Sequence, residues 1–456
     1  MAYLINSAGL ETTGTTGDDL FVIQSGAAKG TTINGLAGVD TIRASAGLST
    51  ATSMDLDAAG GADVIFFSGG EFSASTILGG AGGDSLTFTG TIASESVVKA
   101  GDGNDTLTFG SGDYQSSQIL LGGGADSIVI GNNTETVSGS DAKLGLGAGA
   151  DTLTLDVNDF NSATIFGGGG ADSITISGMG TESSVLINLD STVNGGGGDT
   201  LNLSDAIGED STIKGKGGAD FITVSGLSLS SRVEGNAGGD SITISGVVAT
   251  TGQFIGGGQG NDTIVVADIT ESGFMTIQGG GGNDSIDLLS FSGQDNFIFG
   301  GAGADTIDFG TLHSGEIGFS AFTDSTLTSM DTLTGAATVS GMTLNFSAAN
   351  QTFATGVLAS TQTGVSATIT DGVATGGVFT SAQGVTARVA ILDEASGVKG
   401  TTFYFDATES GATVNYLFVQ GGTTGDTSDD LVVKLSLAQS GQVLNLETDY
   451  KVDLQT

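Results

Sequence analysis

Fourteen aspartates recur along the chain in a fixed local setting: Asp19, Asp40, Asp63, Asp84, Asp105, Asp126, Asp151, Asp172, Asp199, Asp220, Asp240, Asp262, Asp284 and Asp305. Two residues before each stands a glycine, from Gly17 to Gly303, and two residues after each stands an apolar side chain such as Leu86, Leu107 or Ile307. The spacing is most often 21 residues. A carboxylate placed at the end of a glycine turn, among backbone carbonyls, is a hard oxygen donor, and such sets suit Ca²⁺ better than any transition metal. Mg²⁺ suits them less because it gives up its water reluctantly. If the repeats stack in register, the carboxylates form a column. Neighbours would repel by about 3–4 kcal/mol each at an effective dielectric near 20, so the column needs neutralising. The alternative reading of each Asp is a turn residue that bonds its own backbone and holds no metal.

A period near twenty is the mark of a solenoid. In "ILGGAGGDSLTFTG", residues 77–90, Leu86 and Phe88 alternate with Ser85 and Thr87, the period of a strand with one buried face. "SITISG" and "TLTLD" repeat it, and a second apolar stretch such as "SQILL" or "ATIF" precedes each glycine turn. Each unit therefore reads strand, glycine turn, strand, variable turn. Only stacking buries the aliphatic rows. The spacing predicts an all-β fold: a parallel, β-roll-like β-solenoid of about 14 coils of ~21 residues, rising ~4.8 Å per coil to roughly 65 Å. Glycine supplies the positive φ that sharp corners need.

These repeats resemble the RTX (repeats-in-toxin) calcium-binding nonapeptide, G-G-x-G-x-D-x-U-x with U aliphatic. "GGAGGD" ending at Asp84, "GGGGAD" at Asp172, "GGQGND" at Asp262, "GGGGND" at Asp284 and "GGAGAD" at Asp305 match its first six positions; "AGDGND" at Asp105 changes only the first. The resemblance covers about residues 14–310. It implies Ca²⁺ at Asp84, Asp105, Asp126, Asp151, Asp172, Asp199, Asp240, Asp262, Asp284 and Asp305, with the turn residues Gly82, Gly103, Gly170, Gly260, Gly282 and Gly303. The five full matches are the expected tightest sites. Coils of that family are usually two nonapeptides with calcium on both edges. Here one glycine turn falls in each longer period, so one calcium row is expected. In "GKGGAD" Lys216 replaces a glycine, and its ammonium is expected to stand in for a cation. RTX-like proteins generally leave the cell by type I secretion, which implies an extracellular or cell-surface location.

The chain has 456 residues, with 51 acids against 11 bases and a net charge of −40. That balance disfavours nucleic acid, whose phosphates need clustered Lys and Arg, and anionic membrane surfaces. It favours a cationic partner. Cys is absent, which excludes disulfides and thiolate metal sites. No apolar run is long enough to span a membrane, and the N-terminus does not read as a cleaved signal peptide. No enzyme is expected: His313 is the one His in the chain, no H-E-x-x-H occurs, and repeats that begin near residue 14 leave no room for a preceding catalytic domain.

The sequence divides into a glycine/aspartate-rich solenoid at 1–310 and a second region at 311–456. In the latter, runs such as "TTFYFDA", "TVNYLFV" and "DLVVKLSL" predict a β-sandwich-like cap. Its Arg388, Lys399, Lys434 and Lys451 are candidates for subunit contacts. Outward Thr and Ser pairs (Thr106 and Thr108, Thr152 and Thr154, Ser173 and Thr175, Ser241 and Thr243) form a ladder interrupted by Val129, Asn202 and Phe221. Thr suits exposed strand positions in any case. Three functions remain open. The first is a calcium-stabilised, self-assembling structural protein of a surface layer, filament or matrix, for which a cell-surface polysaccharide is a further partner. The second is a phage virion fibre or decoration protein. The third is an adhesin or ice-binding solenoid.

Overall fold

A computed structural model describes residues 1–310 except 25, 27, 45–50, 93–94, 111–113, 115, 132–140, 157–159, 161, 180–183, 192–195, 247–250, 268–273 and 290–295. Beyond them it describes 315–318, 324–335, 342–345, 352–353, 356–359, 366–370, 373–375, 384–396, 399, 401–421, 423, 425–437, 443–446 and 451–455. His313 lies outside the described residues. The chain forms two compact units, Met1–Ala237 and Gly238–Thr456.

The first unit is a parallel β-solenoid. One face stacks the strands that follow each aspartate: Val64–Phe67, Ser85–Phe88, Thr106–Phe109, Ser127–Ile130, Thr152–Asp156, Ser173–Ser177 and onward, each paired in parallel with the next. The other face stacks the strands that precede the glycine turns, such as Thr76–Ala81, Val97–Asp102, Gln118–Gly123 and Lys143–Ala148. Alternation decides what is buried. Ile65, Leu86, Leu107, Ile128, Leu153 and Ile174 form one inward row, and Phe67, Phe88 and Phe109 stack beside it with centroids 5.9 and 5.3 Å apart. The intervening residues face outward.

The solenoid has about 12 turns, fewer than the fourteen its aspartates suggest. The first coils are the least regular: there the second-face strands shrink to three residues (Glu11–Thr13, Thr32–Asn34, Asp55–Asp57), against five or more from Thr76 to Ala302.

The second unit begins with the same parallel stacking. Ser241–Ile244, Thr263–Val266, Ser285–Leu288, Thr306–Asp308 and Asp331–Gly335 form one face. Each face then changes sense. Asp331–Gly335 pairs in parallel with Leu431–Leu437, which pairs antiparallel with Ala412–Val419, itself antiparallel to Thr401–Glu409. On the other face Met342–Asn345 takes the antiparallel Lys451–Gln455. The last parallel strands thus have partners on both edges, which removes a template for edge-to-edge pairing. One element departs from the all-strand expectation for this region: Val385–Ser396 is an α-helix. Val385, Val389 and Leu392 recur at helical spacing, and Val389 and Leu392 are buried with Phe403, Phe405, Tyr416 and Phe418. Arg388 on this helix is buried, and Lys434 pairs with Glu409 at 2.8 Å, so neither stands as a free surface cation.

Candidate metal centre

Each repeat aspartate sits in the corner between the strand that ends a glycine turn and the strand that begins the next face; Asp84 lies between Thr76–Ala81 and Ser85–Phe88. The glycine two residues earlier makes the corner. Gly103 has φ 136°, and a Cβ on it would fall 1.7 Å from the Gly82 carbonyl oxygen of the preceding coil. No other residue fits both that conformation and that approach.

The aspartates are not an exposed edge. All fourteen are buried, at most 4% exposed. They form a hydrogen-bonded ladder in which the backbone N–H of each Asp donates to Oδ1 of the Asp one coil on. In the first unit it runs from Asp19→Asp40 to Asp199→Asp220, with lengths between 2.6 and 2.9 Å. In the second it runs from Asp240→Asp262 through Asp284 to Asp305 at 2.7–2.8 Å. The other oxygen, Oδ2, is buried without a hydrogen-bond partner from Asp40 to Asp199 and again at Asp262, Asp284 and Asp305.

Where a glycine stands five residues before the aspartate, these oxygens face a common arrangement. A Cβ built on Gly79 would lie 2.7 Å from Oδ2 of Asp84 and 2.4 Å from the carbonyl oxygen of Ala100 in the next coil. The corresponding distances at Gly279 are 2.5 Å to Oδ2 of Asp284 and 2.4 Å to the carbonyl of Gly300, and at Gly257 they are 2.4 and 2.6 Å, to Asp262 and Gly279. Two acceptors and no donor converge on a space kept open by a glycine. Such a space calls for a cation or a proton. The donor set, carboxylate plus backbone carbonyl, is that of a hard cation.

Burial pushes these carboxyl groups up. Asp63, Asp105, Asp151 and Asp305 rise to about 6, Asp284 to about 7 and Asp199 to about 8, with desolvation the largest cause in each and the ladder N–H opposing it. Asp19 is the exception. The Met1 ammonium at 2.6 Å and the Thr15 N–H and hydroxyl at 2.6 and 2.9 Å hold it below the ordinary value. Among the described residues, no group of three or more His, Cys, Asp or Glu stands at metal-binding spacing, so each corner must work with fewer carboxylates and with backbone oxygens.

The sequence-predicted sites Asp84, Asp105, Asp126, Asp151, Asp172 and Asp199 lie on one ladder in the first unit, and Asp240, Asp262, Asp284 and Asp305 on one ladder in the second. Gly82, Gly103 and Gly170, and likewise Gly260, Gly282 and Gly303, have positive φ and form the turns. Two residues escaped the sequence reading. Asp331 receives the Asp305 N–H at 2.9 Å and extends the ladder by one coil; burial pushes it up to about 9. It lacks the glycine two places back, and the remaining signal is "DTL" 26 residues after Asp305. Asp190 is 1% exposed, and burial pushes it up to about 6 against the Gly217 N–H of the next coil. Lys216, expected to serve its own corner, acts on Asp190 one coil back and holds its pKa down in part against desolvation.

No known protein family matches the chain, and no curated protein matches it. Among solved structures it is similar to a hyperactive, Ca²⁺-dependent, β-helical antifreeze protein from an Antarctic bacterium. The identity is 17%, over 73% of this chain and 83% of that one, with a TM-score of 0.38. No described helix is long and apolar enough to cross a membrane.

Proposed function

We propose that the protein is a calcium-stabilised extracellular structural solenoid, a component of a surface layer, filament or matrix. The observation that carries the calcium half is the buried, partnerless Oδ2 of Asp84, Asp172, Asp262 and Asp284, each set against a backbone carbonyl of the next coil. Asp84, Asp172, Asp262, Asp284 and Asp305 would hold the ions. A bound cation would supply charge neutralisation inside a low-dielectric corner, and the protein side supplies stacking. The structural half follows from the expense of the design. Most of the chain goes into a stiff, repeating, strongly acidic body, which suits a strut better than a binding module. Calcium titration by calorimetry, paired with sedimentation of the full chain with and without millimolar calcium, tests both halves. Several bound ions together with self-association are expected. A chain that binds calcium yet stays monomeric at high concentration would leave a soluble binding module.

A second reading has its own observation. The parallel register aligns outward hydroxyls in two ranks: Ser85, Thr106, Ser127, Thr152, Ser173 and Thr200 in one, with Thr87, Thr108, Thr154 and Thr175 in the other. Strand spacing sets the repeat at ~4.8 Å. Ranks of this kind can order water or meet a crystalline surface. Thermal hysteresis measured with calcium present decides this: a freezing point equal to the melting point rules it out.

A further inference from the structure

The second face of the solenoid carries an order of charge that the aspartate column does not use. Parallel register runs one outward rank from Glu11 through Thr76 to Lys143, and another from Asp57 through Leu78 to Lys99. Counted from the strand Thr76–Ala81, Asp57 stands one coil before and Lys99 one coil after, both in the rank of Leu78. Glu11 stands three coils before and Lys143 three coils after, both in the rank of Thr76. Glu11, Lys99 and Lys143 are exposed, and Asp57 and Leu78 are half-buried. Asp55, exposed in the strand of Asp57, adds a further acid to the same side. The first face has no such order: over the ranks Leu20 to Thr152 and Val22 to Thr154 its one charged residue is Arg43.

We propose that this stretch of the second face is a docking surface for a second copy of the chain, laid face to face and turned end for end about a two-fold axis along the strand Thr76–Ala81. Such an axis reverses the order of the coils and keeps each rank over itself. Leu78 then packs on its own counterpart, Asp57 meets Lys99, and Glu11 meets Lys143, each charge pair occurring twice. Self-complementarity is what a two-fold contact requires, and an apolar centre with charges outside it is the anatomy of an interface. Sheets stack face to face at about 10 Å, within reach of opposed Lys and acidic side chains. A polyanion fits this surface worse, because the acids that would meet the Lys of a copy repel it. Lys on an exposed strand also blocks unwanted pairing, but that role needs no acids placed at equal distances on the other side. The inference rests on the self-association reading above and names the surface that carries it.

The test is sedimentation velocity of the full chain in millimolar calcium, comparing the parent with Glu11→Lys/Asp57→Lys and with Lys99→Asp/Lys143→Asp. Far-UV circular dichroism checks that each variant keeps the solenoid. Each variant sets like charges against each other in both pairs, and should weaken self-association by about ten-fold or more. An equimolar mixture of the two should recover it, because their faces are again opposite in charge. Net charge alone would move the variants in opposite directions, since one removes acids and the other adds them. Variants that associate like the parent, that shift in opposite directions, or that lose association without recovery on mixing would overturn this surface and leave the self-assembly reading standing. A parent that stays monomeric at high concentration would overturn both.

Discussion

At Asp84 and at Asp126 the backbone makes the same turn with different contents. Each aspartate is buried, and each takes the N–H of its predecessor on Oδ1, at 2.8 and 2.7 Å. Five residues before Asp84 stands Gly79, and Oδ2 looks into the space it leaves. Five residues before Asp126 stands Leu121, and before Asp151 stands Leu146, both buried in the core at that register. The ladder bond is therefore independent of the open space beside it. In the fourteen repeats the glycine two places earlier makes the turn, and the glycine five places earlier leaves the space beside Oδ2. On the calcium reading proposed above, the first glycine of the nonapeptide, which looks dispensable from its loss in many repeats, would be the one that separates a structural corner from a binding one.

The largest effect expected is on the whole column. Excess chelator should lower the melting temperature by many degrees and reduce the β-signal, because the open corners then carry uncompensated buried carboxylates. An unchanged melt at physiological salt would remove the distinction between the two kinds of corner. Next comes the turn glycine that both kinds share. Gly103→Ala forces a side chain into φ 136° and onto the Gly82 carbonyl, and should cost at least about 1–3 kcal/mol in chemical denaturation whether or not calcium is present. A calcium-dependent cost would mean that the turn and the cation site are not separable.

The pH dependence follows from the raised carboxyl groups. A folded pKa above the unfolded one means that the folded state binds more protons between the two values, so stability falls as pH rises across that window. For Asp63, Asp105, Asp151 and Asp305 the window runs from the ordinary value of 3.8 to about 6, and for Asp284 to about 7. Calcium-free protein should melt lower at pH 8 than at pH 5, the reverse of the usual acid denaturation. Saturating calcium should flatten or invert that trend. The smallest and sharpest effect is local. Asp284→Asn and Asp305→Asn should each lose one calcium by titration, while Asp126→Asn and Asp151→Asn lose none. Equal losses at all four would show that the glycine five places back does not grade the corners.

Much of this was legible from spacing. Asp84, Gly82 and Leu86 carry the fold in five residues, because a solenoid repeats its constraint at every coil and the repetition exposes it. What was not legible had no such echo. Asp331 keeps its place in the ladder without the turn glycine, since its amide bonds to the Ser325 hydroxyl at 2.8 Å instead. Asp190 hides inside a lengthened interval. The carboxylates read from sequence as an edge, whereas the structure turns them inward. That inversion depends on the amide of the previous aspartate, which no composition reveals. After residue 310 the alternating runs signalled strands but not their partners. The switch from parallel to antiparallel pairing comes at Leu431–Leu437, which joins Asp331–Gly335 in parallel from about a hundred residues away and pairs with Ala412–Val419 in antiparallel sense. The helix at Val385–Ser396 was missed for a plainer reason: its apolar residues follow a 3–4 spacing within a region otherwise read at period two.

The ladder joins each coil to the next by the same amide-to-carboxylate bond, so no coil is chemically unique to its neighbours. Excising Thr106–Asp126 would leave Asp105 donating to Asp151 with every other link intact. Length is thus a free parameter of this architecture, adjustable in whole-coil steps of about 4.8 Å. A gene that duplicates or drops such a segment changes the reach of the protein and keeps the ladder bonds, while core neighbours such as Phe88 and Phe109 exchange partners. The column then works as a ruler whose graduations are aspartates.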